Sequence, residues 1–346
     1  MRIGLVLGAG GVVGGSWLIG ALEALESETG WSPTSAEVVA GTSAGSVIGA
    51  MTAAGVEPSL LAAYASGGAG DEVAEAAERA GVTLEAGLGD MPYRLQRALP
   101  PLGPGSWRMA LSTLARPMSH SPSAVMAGWL PRGFVSTRPI GELVGRFVEG
   151  AWPDEGPRYH AVAADYATGR RVVFGRSDAP DADVRDAVAA SCAIPGFYHP
   201  VKIGSKRYID GGICSPSNLD LMCGEDLDLV VCLNPMSSLA QVTPRSAGDR
   251  VAARFREQAG RRLGREAKKL RESGTEVLIL QPTAEDLALM GTNLMARDRR
   301  EAVVERAIRT TARQLRRRRD RPGVVLPKKT PARRREARPA AERKAA

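Results

Sequence analysis

At 346 residues with 44% hydrophobic composition, the chain can bury a full core; this excludes disorder throughout and suits one large α/β domain or two small ones. Its net charge of +8 is uneven: Arg313 to Ala346 carries 14 Lys and Arg against 3 Asp and Glu, whereas the first 312 residues carry 32 against 35. The basic character therefore belongs to the C-terminal tail.

Ile3 to Leu22 is an uncharged run of 20 residues, long enough to span a bilayer, but seven of them are glycines. A signal peptide wants a stronger basic start and a small-residue cleavage site, and here "ALEALESE" follows with three glutamates, so insertion and export are set aside. The run reads instead as a strand, Ile3 to Leu7, then a glycine turn, then a helix on which Leu18, Leu22 and Leu25 recur. A second cycle follows: "EVVA" (Glu37 to Ala40) as strand, "GTSAG" as turn, and Val47, Ile48 and Met51 on one helix face. Two such units in 55 residues predict an α/β fold, a parallel sheet covered by helices.

From about Ser66 to Pro139 the pattern loosens into Pro- and Trp-rich stretches, as expected of a lid, a substrate pocket or a disordered loop. Strands are predicted at Tyr159 to Ala164, Arg171 to Phe174, Arg207 to Ile209, Leu227 to Leu233 and Glu276 to Leu280, with a helix over about Ala182 to Ala190. Val251, Phe255, Ala259, Leu263, Ala267 and Leu270 make a narrow apolar stripe on a basic amphipathic helix. Val304, Ile308 and Leu315 mark a last docking helix, closed by "RRRR" where positive charge suits the helix dipole. The reading is one domain over 1–320, with an insertion at about 60–155 and the basic helix at 245–272, followed by a basic, disordered tail at 321–346.

Cys192, Cys214, Cys223 and Cys232 form no CxxC pair and have no histidine at finger spacing, so they read as reduced, buried thiols of a cytoplasmic protein. Gly41 to Gly45, "GTSAG", fits G-x-S-x-G, the elbow that exposes a serine hydroxyl on a strained strand-to-helix turn. Its Ser43 needs a base, and the three histidines have no compelling setting: His120 in the insertion, His160 inside a strand, His199 in "GFYHPV". A carboxylate can take that role. Asp210 ends the strand "KRYID" and begins "DGG", which would leave its carboxylate at the C-terminal edge of a parallel sheet; an ordinary Asp-Gly turn is the competing reading. Asp165 in "AADYATG" is the second candidate base, and Asp220 reads as a helix or turn residue.

A dinucleotide-binding loop is the first rival, but Gly8 and Gly10 would require glycine at Val13, and "EVVA" ends in Gly41 where a ribose-binding carboxylate is expected. A catalytically weak or inactive membrane-associated regulatory protein on the same fold is the second, motivated by the basic helix and tail. The tail carries no aromatic platform or motif for nucleic acid, so no nucleic-acid partner is expected.

"LVLGAGGVVGGSWLIGAL", "GTSAG", "ASCAIPGFYHPV" and "YIDGG", in this order, resemble the patatin-like phospholipase family over roughly residues 3–235, most faintly between 60 and 155. The resemblance implies a three-layer fold related to the α/β-hydrolases, with a mostly parallel central sheet and helices on both faces. It also implies a serine lipid acyl hydrolase, of phospholipase A, lysophospholipase or carboxylesterase type, that uses a Ser-Asp dyad and no cofactor or metal. Residue by residue, the nucleophile falls on Ser43, the aspartate on Asp210, and the oxyanion-hole amides on Gly10 and Gly11, with Gly8, Gly14, Gly41, Gly45, Gly211 and Gly212 completing the motifs. The loop departs from the family pattern at two places: Ala9 replaces the first of three glycines, and Val13 replaces a basic residue. The expected partners are a lipid or acyl-ester substrate and an anionic membrane surface met by the basic helix and tail, the latter at the cytoplasmic face of the inner membrane.

Overall fold

Aliphatic runs with no polar face demand burial on both sides, and the chain stacks them into one sheet. The computed structural model describes residues 1–65, 103–115, 122–148, 152–153, 156–240, 246–319 and 325–327. Among these, eight strands pair: β1 (Ile3–Leu7), β2 (Val38–Thr42), β3 (Arg158–Asp165), β4 (Arg171–Phe174), β5 (Val201–Ile203), β6 (Lys206–Asp210), β7 (Leu229–Leu233) and β8 (Glu276–Leu280). Their order is β5-β6-β3-β2-β1-β7-β8, with β4 also on β3. β1, β2, β3, β7 and β8 run parallel, while β4 and β6 are antiparallel to β3 and β5 is antiparallel to β6.

The helices are α1 (Gly11–Thr29), α2 (Ala44–Ala53), α3 (Pro58–Ala65), α4 (Trp107–Ala115), α5 (Pro122–Trp129), α6 (Arg138–Val148), α7 (Val184–Ser191), α8 (Ala247–Glu272), α9 (Ala284–Met290) and α10 (Arg300–Arg319). Side-chain alternation along the strands divides them into two layers. Leu5, Leu7 and Val231 pack with Trp17 and Leu22 of α1, Met51 of α2 and Val304 of α10. Val6, Val230 and Cys232 face the other way, against Leu263, Ala267 and Leu270 of α8. The result is helix, sheet, helix, three layers deep. α1 and α10 approach so closely that a Cβ at Gly20 would collide with the Val304 carbonyl.

The uncharged run Ile3 to Leu22 divides between β1, the turn and the first half of α1, and among the described residues no helix is long and apolar enough to cross a membrane. The 60–155 insertion, which the sequence leaves irregular, is mostly helical where it is described: Met109 of α4 and Ala127 of α5 pack on Tyr166 and Ile209. His120, much of that insertion and all of the tail except Val325 to Pro327 lie outside the described residues.

The apolar stripe of the basic helix splits. Its second half, Ala259 to Leu270, is buried, whereas Val251 is 70% and Phe255 39% exposed. Glu266 on the same helix is buried and accepts hydrogen bonds from Ser217 Oγ (2.7 Å) and the Leu219 amide (3.0 Å), so α8 is bolted to the segment that follows β6. Cys192 and Cys232 are buried free thiols, but Cys214 and Cys223 are only half-buried because they sit on the surface-facing turns after β6.

Candidate active site

The turn from β2 into α2 places one residue between them, Ser43, with φ 55° and ψ −124°. A non-glycine residue rarely holds such a conformation, which costs on the order of 1–3 kcal/mol and persists only where the surroundings enforce it. They do so through close backbone packing: a Cβ on Gly45 would collide with the Leu7 carbonyl, and one on Gly41 with the Gly45 carbonyl. The Ser43 amide donates to Ser191 Oγ (2.9 Å), whose own hydroxyl donates to the Val162 carbonyl (2.6 Å). The Ser43 carbonyl accepts from the Ser46 hydroxyl at 2.6 Å, and Tyr159 OH donates to the Ser46 carbonyl at 2.6 Å. Ser191, within the "ASC" stretch, is a brace whose hydroxyl carries no local sequence signal.

Asp210 reaches Ser43 from across β3. Thr42 is level with Val162 and Asp210 with Ala163, so the residue after Thr42 and the last residue of β6 meet at one height. β6 is antiparallel to β3, so Asp210 does not leave the C-terminal edge of a parallel strand as expected; it comes in from beyond that edge, through the β5–β6 hairpin. Its carboxylate accepts a hydrogen bond from the Gly212 amide at 2.7 Å. Burial pushes its pKa from the usual 3.8 up to about 6, and interactions with the Ser43 side chain and the Gly212 amide hold it from rising further. Gly211 lies against the Val162 carbonyl, where a Cβ would collide.

The loop from Gly8 to Gly14 is the N-terminus of α1. The amides of Gly8, Ala9, Val13 and Gly14 donate to Leu233 O (2.9 Å), Pro216 O (2.8 Å), Leu294 O (3.1 Å) and Gly10 O (2.9 Å). Those of Gly10 and Gly11 have no partner among the described residues, as expected for the first turn of a helix. Gly11 has φ 61°, and a Cβ there would stand 2.7 Å from the Leu294 carbonyl. The two departures from the family pattern fit in place: the Ala9 methyl is 3.4 Å from a Cβ built on Gly212, and Val13 is fully buried in the core.

A cavity of about 120 Å³ opens beside Ser43. Gly11, Val12 and Ser16 of α1 line it with Val47, Leu143 and Ile194, and among the described residues no carboxylate belongs to its wall. Neither described histidine does either. His160 is buried in β3, where desolvation pulls its pKa down to about 4; His199 faces a second cavity, its Nδ1 3.3 Å from the Gly133 carbonyl. Asp165 caps its own turn by accepting from the amides of Ala167 (2.8 Å) and Thr168 (3.0 Å). Asp220, in a short helical turn, is held by both terminal nitrogens of Arg171 (2.7 and 2.9 Å). Behind the elbow, Asn218 Nδ2 donates to Thr42 Oγ1 at 3.0 Å, tying the "SPSNLDL" segment to the residue before Ser43.

The family model of the patatin-like phospholipases matches residues 5–222, well over half of the chain. The chain belongs to that family. Among curated proteins, uncharacterized NTE family proteins of Mycobacterium bovis and Mycobacterium tuberculosis are each 32% identical over 76 residues, 22% of this chain and 12% of theirs. Among solved structures, the type III effector protein ExoU aligns at 18% identity and a TM-score of 0.32, over 91% of this chain and 53% of that one. The patatin-like match contains the glycine loop, Ser43 and Asp210, and it ends before α8. Met295, Arg297 and Arg300, which also line the Ser43 cavity, therefore come from outside the matched patatin-like region.

Proposed function

We propose that this chain is a lipid acyl hydrolase in which Ser43 is the nucleophile, Asp210 the general base and the amides of Gly10 and Gly11 the oxyanion hole. The observation that carries the reading is a serine on a strained elbow that interacts with the buried carboxyl of Asp210 and lowers its pKa. Ser43 Oγ attacks the ester carbonyl while Asp210 takes its proton. The tetrahedral oxyanion forms at the N-terminus of α1, where two amides without a partner among the described residues and the helix dipole favour negative charge, each donor contributing about 3 kcal/mol. Asp210 then protonates the departing alcohol, leaving an acyl ester on Ser43. Water attacks that ester, gives its proton to Asp210, and releases the fatty acid and free Ser43.

A pKa near 6 keeps Asp210 ionised at neutral pH yet far more basic than an exposed carboxylate, as a general base requires. The apolar cavity beside Ser43 suits an acyl chain. A panel of acyl esters and phospholipids, turned over by wild type and not by Ser43→Ala, tests the assignment; equal turnover by both overturns it.

We also propose a cytoplasmic protein that touches an anionic membrane surface through α8, where exposed Val251 and Phe255 are flanked by Arg250 and Arg254. Sedimentation with anionic liposomes that weakens as salt rises is the expected result.

A further inference from the structure

The wall of the Ser43 cavity contributed by residues 295–300 differs in kind from the rest. Ile19, Val47, Leu143 and Ile194 make the other sides apolar, whereas this side brings two half-buried arginines, Arg297 and Arg300, to a wall that holds no carboxylate among the described residues. The segment is held against the glycine loop: Leu294 O accepts the Val13 amide at 3.1 Å and its Cβ lies 3.1 Å from a Cβ built on Gly11. Arg300 is then fixed in turn, its Nε donating to the Arg297 carbonyl at 3.1 Å.

Neighbouring arginines have acidic partners. Arg299 pairs with Asp298 (3.7 Å), Arg306 and Arg313 share Glu285 (3.3 and 2.8 Å), Arg309 meets Glu305 (3.7 Å), and Arg316 meets Glu28 (2.6 Å). Arg300 has no ion-pair partner among the described residues. A half-buried guanidinium beside an apolar cavity loses hydration without gaining a carboxylate, and an anionic ligand group restores the balance.

We infer that Arg300 binds the anionic oxyacid group of a single-chain acyl ligand whose hydrocarbon lies against the apolar wall. At about 120 Å³ the cavity falls below the roughly 300–1,000 Å³ of drug-sized sites and has room for a segment of one acyl chain. Two sources share this chemistry: the phosphate of a lysophospholipid head group and the carboxylate of a released fatty acid. The inference rests on the acyl-hydrolase reading for what is bound, and its test is therefore made with turnover removed.

In the full chain carrying Ser43→Ala, calorimetric titrations use 1-oleoyl lysophosphatidate, oleate and neutral monooleoylglycerol, each below its micelle concentration. At least one anionic ligand should bind about tenfold tighter than the neutral one, and Arg300→Gln should erase that preference while Arg300→Lys keeps most of it. Sensitivity of lysophosphatidate assigns the site to the head group, and sensitivity of oleate alone assigns it to the product. A preference untouched by Arg300→Gln and by Arg297→Gln/Arg300→Gln, in proteins with unchanged melting temperatures, overturns the inference. So does the absence of any anionic preference. Ester turnover by the otherwise native chain that does not depend on Ser43 would break the acyl-hydrolase reading instead, and the binding result would be unaffected by it.

Discussion

Ser43 follows the end of one strand and Asp210 ends another, but they are held by opposite means. Ser43 is placed by its backbone: a positive φ, two glycines that let Leu7 and Gly45 crowd in, and a brace from Ser191. Asp210 adopts an ordinary backbone conformation, with φ −50° and ψ 128°, and is made unusual by burial. One strand end stores strain and the other stores desolvation. Mutations should therefore separate the two in stability as well as in activity.

The largest effect is expected at Ser43. Ser43→Ala should lower ester hydrolysis by about 10⁴-fold or more. Ser43→Gly should be equally inactive yet more stable by about 1 kcal/mol, because glycine relieves the positive φ; chemical denaturation curves of both variants check this. Asp210→Asn should lose about 10²- to 10⁴-fold in kcat. Its stability should exceed that of wild type at neutral pH. The folded carboxyl has the higher pKa, so wild type loses stability as pH rises from about 4 to about 6, by up to about 3 kcal/mol. Melting temperatures of the two proteins should thus diverge across that interval and stay apart above it.

Gly10→Ala comes next, with a fall of about 10²- to 10³-fold in kcat. The new Cβ would stand 2.7 Å from Gly14 Cα and 2.8 Å from Pro235 Cγ, so the loop must shift and carry its free amides with it. A smaller effect is the pH profile of the native protein. The general base acts when ionised, so kcat/KM should rise tenfold per pH unit up to about 6 and level off above it. A plateau reaching down to pH 4 would mean that desolvation does not set the base. The smallest effect is expected from His199→Ala, with activity within about twofold of wild type, since His199 faces the other cavity.

The elements that could be read from the sequence are those whose signal is local. β1, β4 and β8 run between the residues predicted for them because a short apolar run bounded by polar or glycine residues is a local signal, whether the strand is buried, as β1 is, or lies at an edge, as β4 and β8 do. The elbow was visible because only small residues tolerate backbone atoms so close on either side of Ser43. Asp165 and Asp210 looked alike, each an aspartate at a strand end followed by a turn. One is consumed by the amides of its own turn and the other by a serine 167 positions away. The stripe on α8 showed a helix face, but nothing in its periodicity said that half of it would be buried against β7 and half left exposed.

By itself, then, the sequence determined the alternation of strand and helix, the elbow at Ser43 and the glycine loop, since periodicity and steric allowance are properties of neighbouring residues. The direction of β6, the brace from Ser191, the tie from Asn218 to Thr42 and the arginine-bearing wall at 295–300 were decided by tertiary structure alone. Each depends on contacts between segments tens to hundreds of residues apart. Such contacts, together with the desolvation that raises Asp210, exist only once the layers have closed around the sheet.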